Sequence, residues 1–308
     1  MIIASIDLGS NSLSILIAKI NNHRITPIFE KIYLIRLAQG IKKNSLLHKD
    51  AKKRCLNAFK KIETLITKYN PDHTLAVGTA ALRNAIDGEI FSRSILKNFN
   101  IPIKIISGQN EANLTYLATI NEFKKYNKNI CMIDIGGAST EIVVGNSNSI
   151  FSKISLDIGT VNLTEEFINN DPPTKNELDQ MEIKIKKILT KKIHFPFNKE
   201  NIHLGIGVAG TLTTLKSIDL NIQKYDSKII HGSKLNIKNL TKIKKKLCKM
   251  KIKDRIKLNG IDEKRADIIP TGSIILKLLM KELNLKSIYI NDRGLRWGLI
   301  YNHIKTSN

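Results

Sequence analysis

The chain has 308 residues, 42% of them apolar, enough to bury a large core and to divide into two domains or form one large one. No stretch holds 18 uninterrupted apolar residues, and the first ten carry Asp7 without a basic run, so neither a membrane-spanning helix nor a secretory leader is expected, and a cytoplasmic location is. The 50 Lys and Arg against 27 Asp and Glu give a formal charge of +23, a field that attracts polyanions, although a chain so rich in Ile, Asn and Lys also fits an AT-rich genome.

In chain order, residues 2–7, 12–20 and 25–35 read as three adjacent strands, an antiparallel meander. Between residues 50 and 70 the period changes. Cys55, Phe59, Ile62 and Ile66 fall on one stripe with lysines opposite, the pattern of an amphipathic helix. A buried strand at 74–78 leads to a loop and helix, 101–107 reads as a strand, and a long helix follows from about 109 to 125. Residues 130–135 form a second buried strand, followed by strands at 141–145 and 149–157. Helices are predicted at 160–169 and after Pro172-Pro173. A strand at 204–208 precedes a helix, helical patterns cover 234–250 and 271–284, 286–291 is the last strand, and 294–304 begins the last helix. The alternation in the second half predicts an α/β fold. Lysine runs at Lys42-Lys43, Lys186-Lys187 and Lys244-Lys245-Lys246 read as solvated helix faces. Few aromatics accompany them, so nucleic acid is not the expected partner. Cys55, Cys131 and Cys248 are too far apart for a disulfide framework or a zinc pattern.

One local pattern occurs twice. An apolar run ends in an acid, small donor-rich residues follow, and a second apolar run begins. The first copy is Asp7, Leu8, Gly9, Ser10, Asn11, Ser12; the second, 127 positions later, is Asp134, Ile135, Gly136, Gly137, Ala138, Ser139, Thr140. A single copy reads as an ordinary hairpin turn. Two copies, one per half, suit a two-lobed phosphate binder. Backbone N–H groups in such a turn converge on an anion, and small residues let it approach. The acid at the strand end would hold a cation, most often Mg²⁺. Together they form the arrangement that phosphoryl transfer needs.

Glu111, opening a helix after a strand, reads either as a first-turn acid that suits the helix dipole or as a general base. Glu141, directly after Ser139 and Thr140, could sit close enough to help hold the water or the metal. Arg83 reads as an exposed helix arginine or as a phosphate clamp. The run 205–210 matches G-x-G-x-x-G between a strand and a helix, but lacks an acid on a later strand. Gly210 and Thr211 therefore read better as a phosphate grip at a helix N-terminus, or as a tight turn.

With D-L-G-S-N-S, G-T-A-A-L-R-N-A, I-S-G-Q-N-E-A, D-I-G-G-A-S-T-E and G-V-A-G-T in this order, the chain resembles the exopolyphosphatase / guanosine pentaphosphate phosphatase family. Further matching stretches are S-L-D-I-G-T-V-N-L-T-E-E-F, H-G, R-A-D-I-I-P-T-G and G-L-R-W-G-L, so the resemblance spans nearly the whole chain. It implies an α/β fold of two ribonuclease-H-like lobes around a central cleft, as in the actin-like ATPase superfamily. The lobes would be 1–121, with the last helix at 295–308 a candidate to pack back on it, and 122–294, both bends facing one anion pocket. It implies a magnesium-dependent hydrolase acting on the terminal phosphoanhydride of polyphosphate or guanosine pentaphosphate, with a homodimer as the suggested assembly. Carried over by position, Glu111 matches the base, and Asp134 and Glu141 the acids near metal and water. Asp7 is a second candidate for the metal. Gly136, Gly137, Ala138 and Ser139 match the second phosphate loop, Asn11 and Ser12 the first, and Arg83 the arginine that faces phosphate. Gly9, Ser10, Thr140, Gly210 and Thr211 complete the candidate phosphate-binding set. The chain departs from the family pattern at Asn110, Asn113 and Ala138, and looks like the short, two-lobe form. The rival readings are an ATP-dependent kinase of the same superfamily and a non-enzymatic binder of alarmones or other polyanions.

Overall fold

A computed structural model describes residues 1–41, 45–126, 128–193 and 202–307; Lys42 and Lys43 lie outside them. The chain divides into two compact units, Met1–Ala118 with Leu295–Asn308, and Thr119–Gly294.

The first unit is built on strands β1 (Ile2–Leu8), β2 (Ser12–Asn21), β3 (Arg24–Leu34), β4 (His73–Gly78) and β5 (Lys104–Ile105), in the order β3-β2-β1-β4-β5. β1, β2 and β3 are antiparallel neighbours, whereas β4 runs parallel to β1 and β5 parallel to β4. Leu13, Ile15, Leu16, Ile17 and Ala18 of β2 are all fully buried. Both faces of that strand are covered, so it reads as an apolar run instead of an alternation. Helix α1 (Lys49–Tyr69) buries Cys55, Phe59 and Ile62, as its stripe predicts, and ends at Asn70 in the left-handed region with φ 40°. Helices α2 (Ala80–Asn84), α3 (Gly88–Phe99) and α4 (Gly108–Phe123) follow. The chain's last helix, Leu295–Thr306, packs Trp297 and Ile300 against Ile3, Leu16 and Ala18 of this sheet.

The second unit holds β6 (Ile130–Ile135), β7 (Thr140–Gly145), β8 (Ile150–Leu156), β9 (Leu204–Val208), β10 (Lys234–Asn236) and β11 (Ser287–Asn291). Their order is β10-β11-β9-β6-β7-β8. Again an antiparallel triplet, β6-β7-β8, is extended by parallel strands, β9 beside β6 and β11 beside β9. This is the plan of the first sheet, the ribonuclease-H-like order, with β10 added antiparallel at the edge. Helices α5 (Thr160–Phe167), α6 (Lys175–Lys192), α7 (Ala209–Asp219), α8 (Ser227–Ile230), α9 (Ile237–Lys249), α10 (Ile252–Arg255) and α11 (Ile269–Glu282) complete the unit, and α12 is the Leu295–Thr306 helix of the first. One core joins Ile133, Ile142 and Leu156 of the sheet to Leu212, Leu240, Ile275 and Leu279 of the helices. Lys186, Lys187, Lys245 and Lys246 are exposed on α6 and α9, while Lys244 reaches the Glu182 carboxylate.

Two elements differ from expectation. Of 101–107 only Lys104 and Ile105 form ladder pairs. Pro102 has no N–H to donate, and buried Ile101, Ile103 and Ile106 anchor the segment by packing. Residues 234–236 are a strand, not the start of a helix, because they pair with Ser287–Tyr289; Asn236 then caps α9 by accepting the Asn239 N–H at 2.7 Å. Among the described residues no helix is long and apolar enough to cross a membrane.

Candidate active site

In the first unit, Gly9, Ser10, Asn11 and Ser12 turn β1 into β2, and the Gly9 N–H closes the turn on the Ser12 carbonyl at 2.9 Å. The segment after β3 straps the bend from one side. Ala38 N–H donates to the Ser10 carbonyl at 2.8 Å, and Ile35 and Arg36 N–H donate to the Asn11 carbonyl at 3.0 and 2.9 Å. In a trans peptide the C=O and the next N–H point opposite ways. A carbonyl held by the strap therefore turns the following N–H outward. The N–H of Asn11, in the same peptide as the strapped Ser10 carbonyl, donates to no described group, and neither does the N–H of Ser10. Ser10 and Asn11 are 6% and 7% exposed, and both Oδ1 and Nδ2 of Asn11 are buried without a partner among the described residues.

The second unit repeats this construction. Gly136 N–H closes on the Ser139 carbonyl at 3.0 Å. The strap comes from the segment after β8: Thr160 N–H donates to the Gly136 carbonyl at 3.0 Å and Val161 N–H to the Gly137 carbonyl at 2.8 Å, while Asn162 Nδ2 donates to the Ala138 carbonyl at 2.7 Å. The N–H groups of Gly137, Ala138 and Ser139 are left without a described acceptor. Gly159 makes the close approach possible, since a Cβ there would overlap the Gly137 peptide. Thr140 Oγ1 donates to the Ile158 carbonyl at 2.7 Å and Thr211 Oγ1 to the Ile135 carbonyl at 2.9 Å. These two hydroxyl protons thus serve the scaffold of the bend.

The acids lead the bends in matching positions. Asp7 stands opposite Ser14 and Asp134 opposite Glu141. Burial pushes the Asp7 carboxyl up to about 6, with the Arg296 charge and the Ser14 hydroxyl pulling the other way. Glu141 is 1% exposed and accepts the Ser155 hydroxyl at 2.8 Å.

Glu111 and Arg83 join the first bend at the carboxyl edge of its sheet, where α/β proteins commonly bind ligands. Thr79 N–H donates to the Leu8 carbonyl at 3.1 Å and Ile106 N–H to the Gly78 carbonyl at 3.0 Å, so the ends of β1, β4 and β5 lie side by side. Arg83, on α2 after β4, places Nη1 2.7 Å from the Ile106 carbonyl and 3.5 Å from Glu111 Oε2. Glu111 lies in the first turn of α4.

In the second unit Gly210 opens α7 beneath the Arg265 guanidinium, which a Cβ at 210 would overlap. Burial lowers the pKa of Arg265, with the Asp262 charge opposing. Arg265, Gly159 and Asn162 were not among the sequence candidates. Their only signal was their place in the quoted stretches R-A-D-I-I-P-T-G and D-I-G-T-V-N.

Two sheets of one strand order, each with an acid-led bend after its first strand, define a two-sheet α/β protein of the ribonuclease-H-like kind. Residues 16–307 match the family model described as the Ppx/GppA phosphatase family, and the chain belongs to that family. It is 34% identical, over 96% of its length, to a Fusobacterium nucleatum protein named bifunctional 3-dehydroquinate synthase/phosphatase, of which it spans 46%. It is 28% identical to exopolyphosphatase 2 of Mycobacterium tuberculosis, over 91% of this chain and 90% of that one. Among solved structures, the Aquifex aeolicus Ppx/GppA family member superposes with a TM-score of 0.84 at 29% identity, covering 100% of this chain and 99% of that one. The class is therefore that of a phosphatase.

Proposed function

We propose that the protein hydrolyses terminal phosphoanhydride bonds, releasing phosphate from inorganic polyphosphate by in-line attack of water with Mg²⁺ as cofactor. The observation that carries this reading is the repeated bend whose carbonyls are tied back and whose N–H groups are left to meet an anion. Each unit brings one such cradle. The first adds Arg83 and Glu111, the second Asp134 and Glu141. Polyphosphate is favoured by the +23 charge and by the exopolyphosphatase name of the mycobacterial relative.

The donor set fits Mg²⁺. Asp134 and Glu141 are hard oxygen donors opposite one another on neighbouring strands. No group of three or more His, Cys, Asp or Glu among the described residues is arranged for a metal. Mg²⁺ characteristically takes one or two carboxylates and completes its shell with water and substrate phosphate. Asp134 and Glu141 would hold it, and the bound ion would neutralise charge on the phosphoryl oxygens. In the first unit the N–H groups of Ser10 and Asn11 take phosphoryl oxygens, and in the second unit those of Gly137 and Ala138 do. Arg83 keeps Nη1 on the main chain and offers Nε and Nη2 to the phosphate. Glu111 accepts the proton of the attacking water.

The test is phosphate release from polyphosphate and guanosine pentaphosphate side by side, with and without Mg²⁺ and with no phosphoryl acceptor. Mg²⁺-dependent release from polyphosphate is expected; release without an acceptor also excludes the kinase. Intact polyphosphate after incubation with Mg²⁺ would overturn the reading.

A further inference from the structure

Asn11 carries two polar atoms, one donor and one acceptor, both buried and both without a partner among the described residues. An amide left in that state is costly, and such sites persist where a ligand completes them. A phosphoryl group can satisfy only half of it. Its oxygens accept from Nδ2, but they cannot donate to Oδ1. Oδ1 therefore needs a donor that arrives together with the phosphate.

We infer that this donor is the attacking water, and that Asn11 is a catalytic residue that orients it. This rests on the phosphohydrolase reading above. The water has two hydrogens and two acceptors to receive them, the Glu111 carboxylate and Asn11 Oδ1. Glu111 follows the end of β5 and Asn11 the end of β1, with β4 between. Two strand spacings put those ends roughly 10 Å apart, a gap that two side chains and one water can span. In the step, a water lone pair forms the new O–P bond while the bond from phosphorus to the bridging oxygen breaks. That electron pair leaves on the shortened chain. One water proton passes to the Glu111 carboxylate; the other stays on the new phosphate, having pointed at Asn11 Oδ1 throughout. Fixing both hydrogens fixes the lone pair on the phosphorus, the task that a side-chain carboxamide performs in other phosphoryl hydrolases. Little solvent reaches Asn11 here, 7% of its surface, so the water it holds is one enclosed with the substrate.

The experiment is steady-state phosphate release from polyphosphate with Mg²⁺ for the wild type, Asn11→Ala, Asn11→Asp and Glu111→Gln, with thermal unfolding of each free protein. Asn11→Ala is expected to lower kcat about 100-fold with KM within about threefold. Its melting temperature should hold or rise, because a buried amide without partners is removed. Asn11→Asp keeps an acceptor for the water but sets a charge against the phosphate, so its KM should rise well beyond that of Asn11→Ala while its kcat falls less. A raised KM with wild-type kcat in Asn11→Ala would reduce the residue to a phosphate grip and overturn the inference. So would a lowered melting temperature with wild-type kinetics, which marks a structural amide. Those failures leave an active wild type and a dead Glu111→Gln; failure of the underlying reading instead shows as a wild type that releases no phosphate.

Discussion

Arg83 Nη1 lies 3.5 Å from Glu111 Oε2 while it donates to the Ile106 carbonyl at 2.7 Å. One guanidinium nitrogen thus ties the carboxylate to the end of β5. The side chains are 26% and 13% exposed, so the pair is only partly screened by solvent. Glu111→Gln is expected to lower phosphate release by about 10²–10⁴ and leave polyphosphate binding nearly intact. Arg83→Lys keeps the charge but loses the planar fork. Both a raised KM and a lowered kcat are expected from it, and a change in KM alone would dismiss its hold on Glu111. Initial rates over a substrate series decide both.

Gly159 lies where a methyl group would meet the Gly137 peptide. Its φ of −147° is open to any residue, so the constraint is space and not strain. Gly159→Ala should push the strap off the second bend. The expected result is a loss of activity larger than the loss of stability, read by pairing phosphate release with thermal unfolding.

Asp7 has its carboxyl raised from 3.8 to about 6, chiefly by burial. The folded chain therefore binds that proton more tightly than the unfolded chain. The stability cost grows as pH rises from about 4 to 6 and is fully present above that window. Asp7→Asn removes it, with a gain of order 2 kcal/mol at pH 7.5 and almost none at pH 4. Thermal unfolding of the metal-free protein at the two pH values checks the sign, and activity should fall in the same variant.

Glu177 closes a capping box with Thr174 at the start of α6. Slight burial opposes its ionisation, but the N–H groups of Thr174 and Asn169 and the side chains of Asn170 and Thr174 outweigh it and hold the carboxyl at about 2. This lowered value contributes stability above the ordinary 4.5 and loses it as pH falls toward 2. Glu177→Gln should lower the melting temperature by roughly 2–4 °C at neutral pH, with the difference closing on acidification and activity unchanged.

The bends were legible because their signal is local: an apolar run, an acid, four small donor-rich residues, then another run. The straps were not. Ile35, Arg36 and Ala38 reach the first bend only after two intervening strands, β2 and β3, and Thr160, Val161 and Asn162 the second after β7 and β8. Neither segment carries a residue type that announces a bond to a distant carbonyl. Arg265 was missed for the same reason, because Gly210 lies far from it in the chain. The stretch 101–107 misled because apolar alternation marks burial, which Ile101, Ile103 and Ile106 have, and not ladder pairing, which a proline beside them limits.

Element types, the paired acid-led turns and the class of chemistry were written in the order of the residues, since hydrophobic period and turn propensity act over a few neighbours. The direction each peptide faces in those turns was settled only by the folded chain. A carbonyl turns toward whichever N–H the tertiary structure brings to it, and its neighbouring N–H is then left to face the other way.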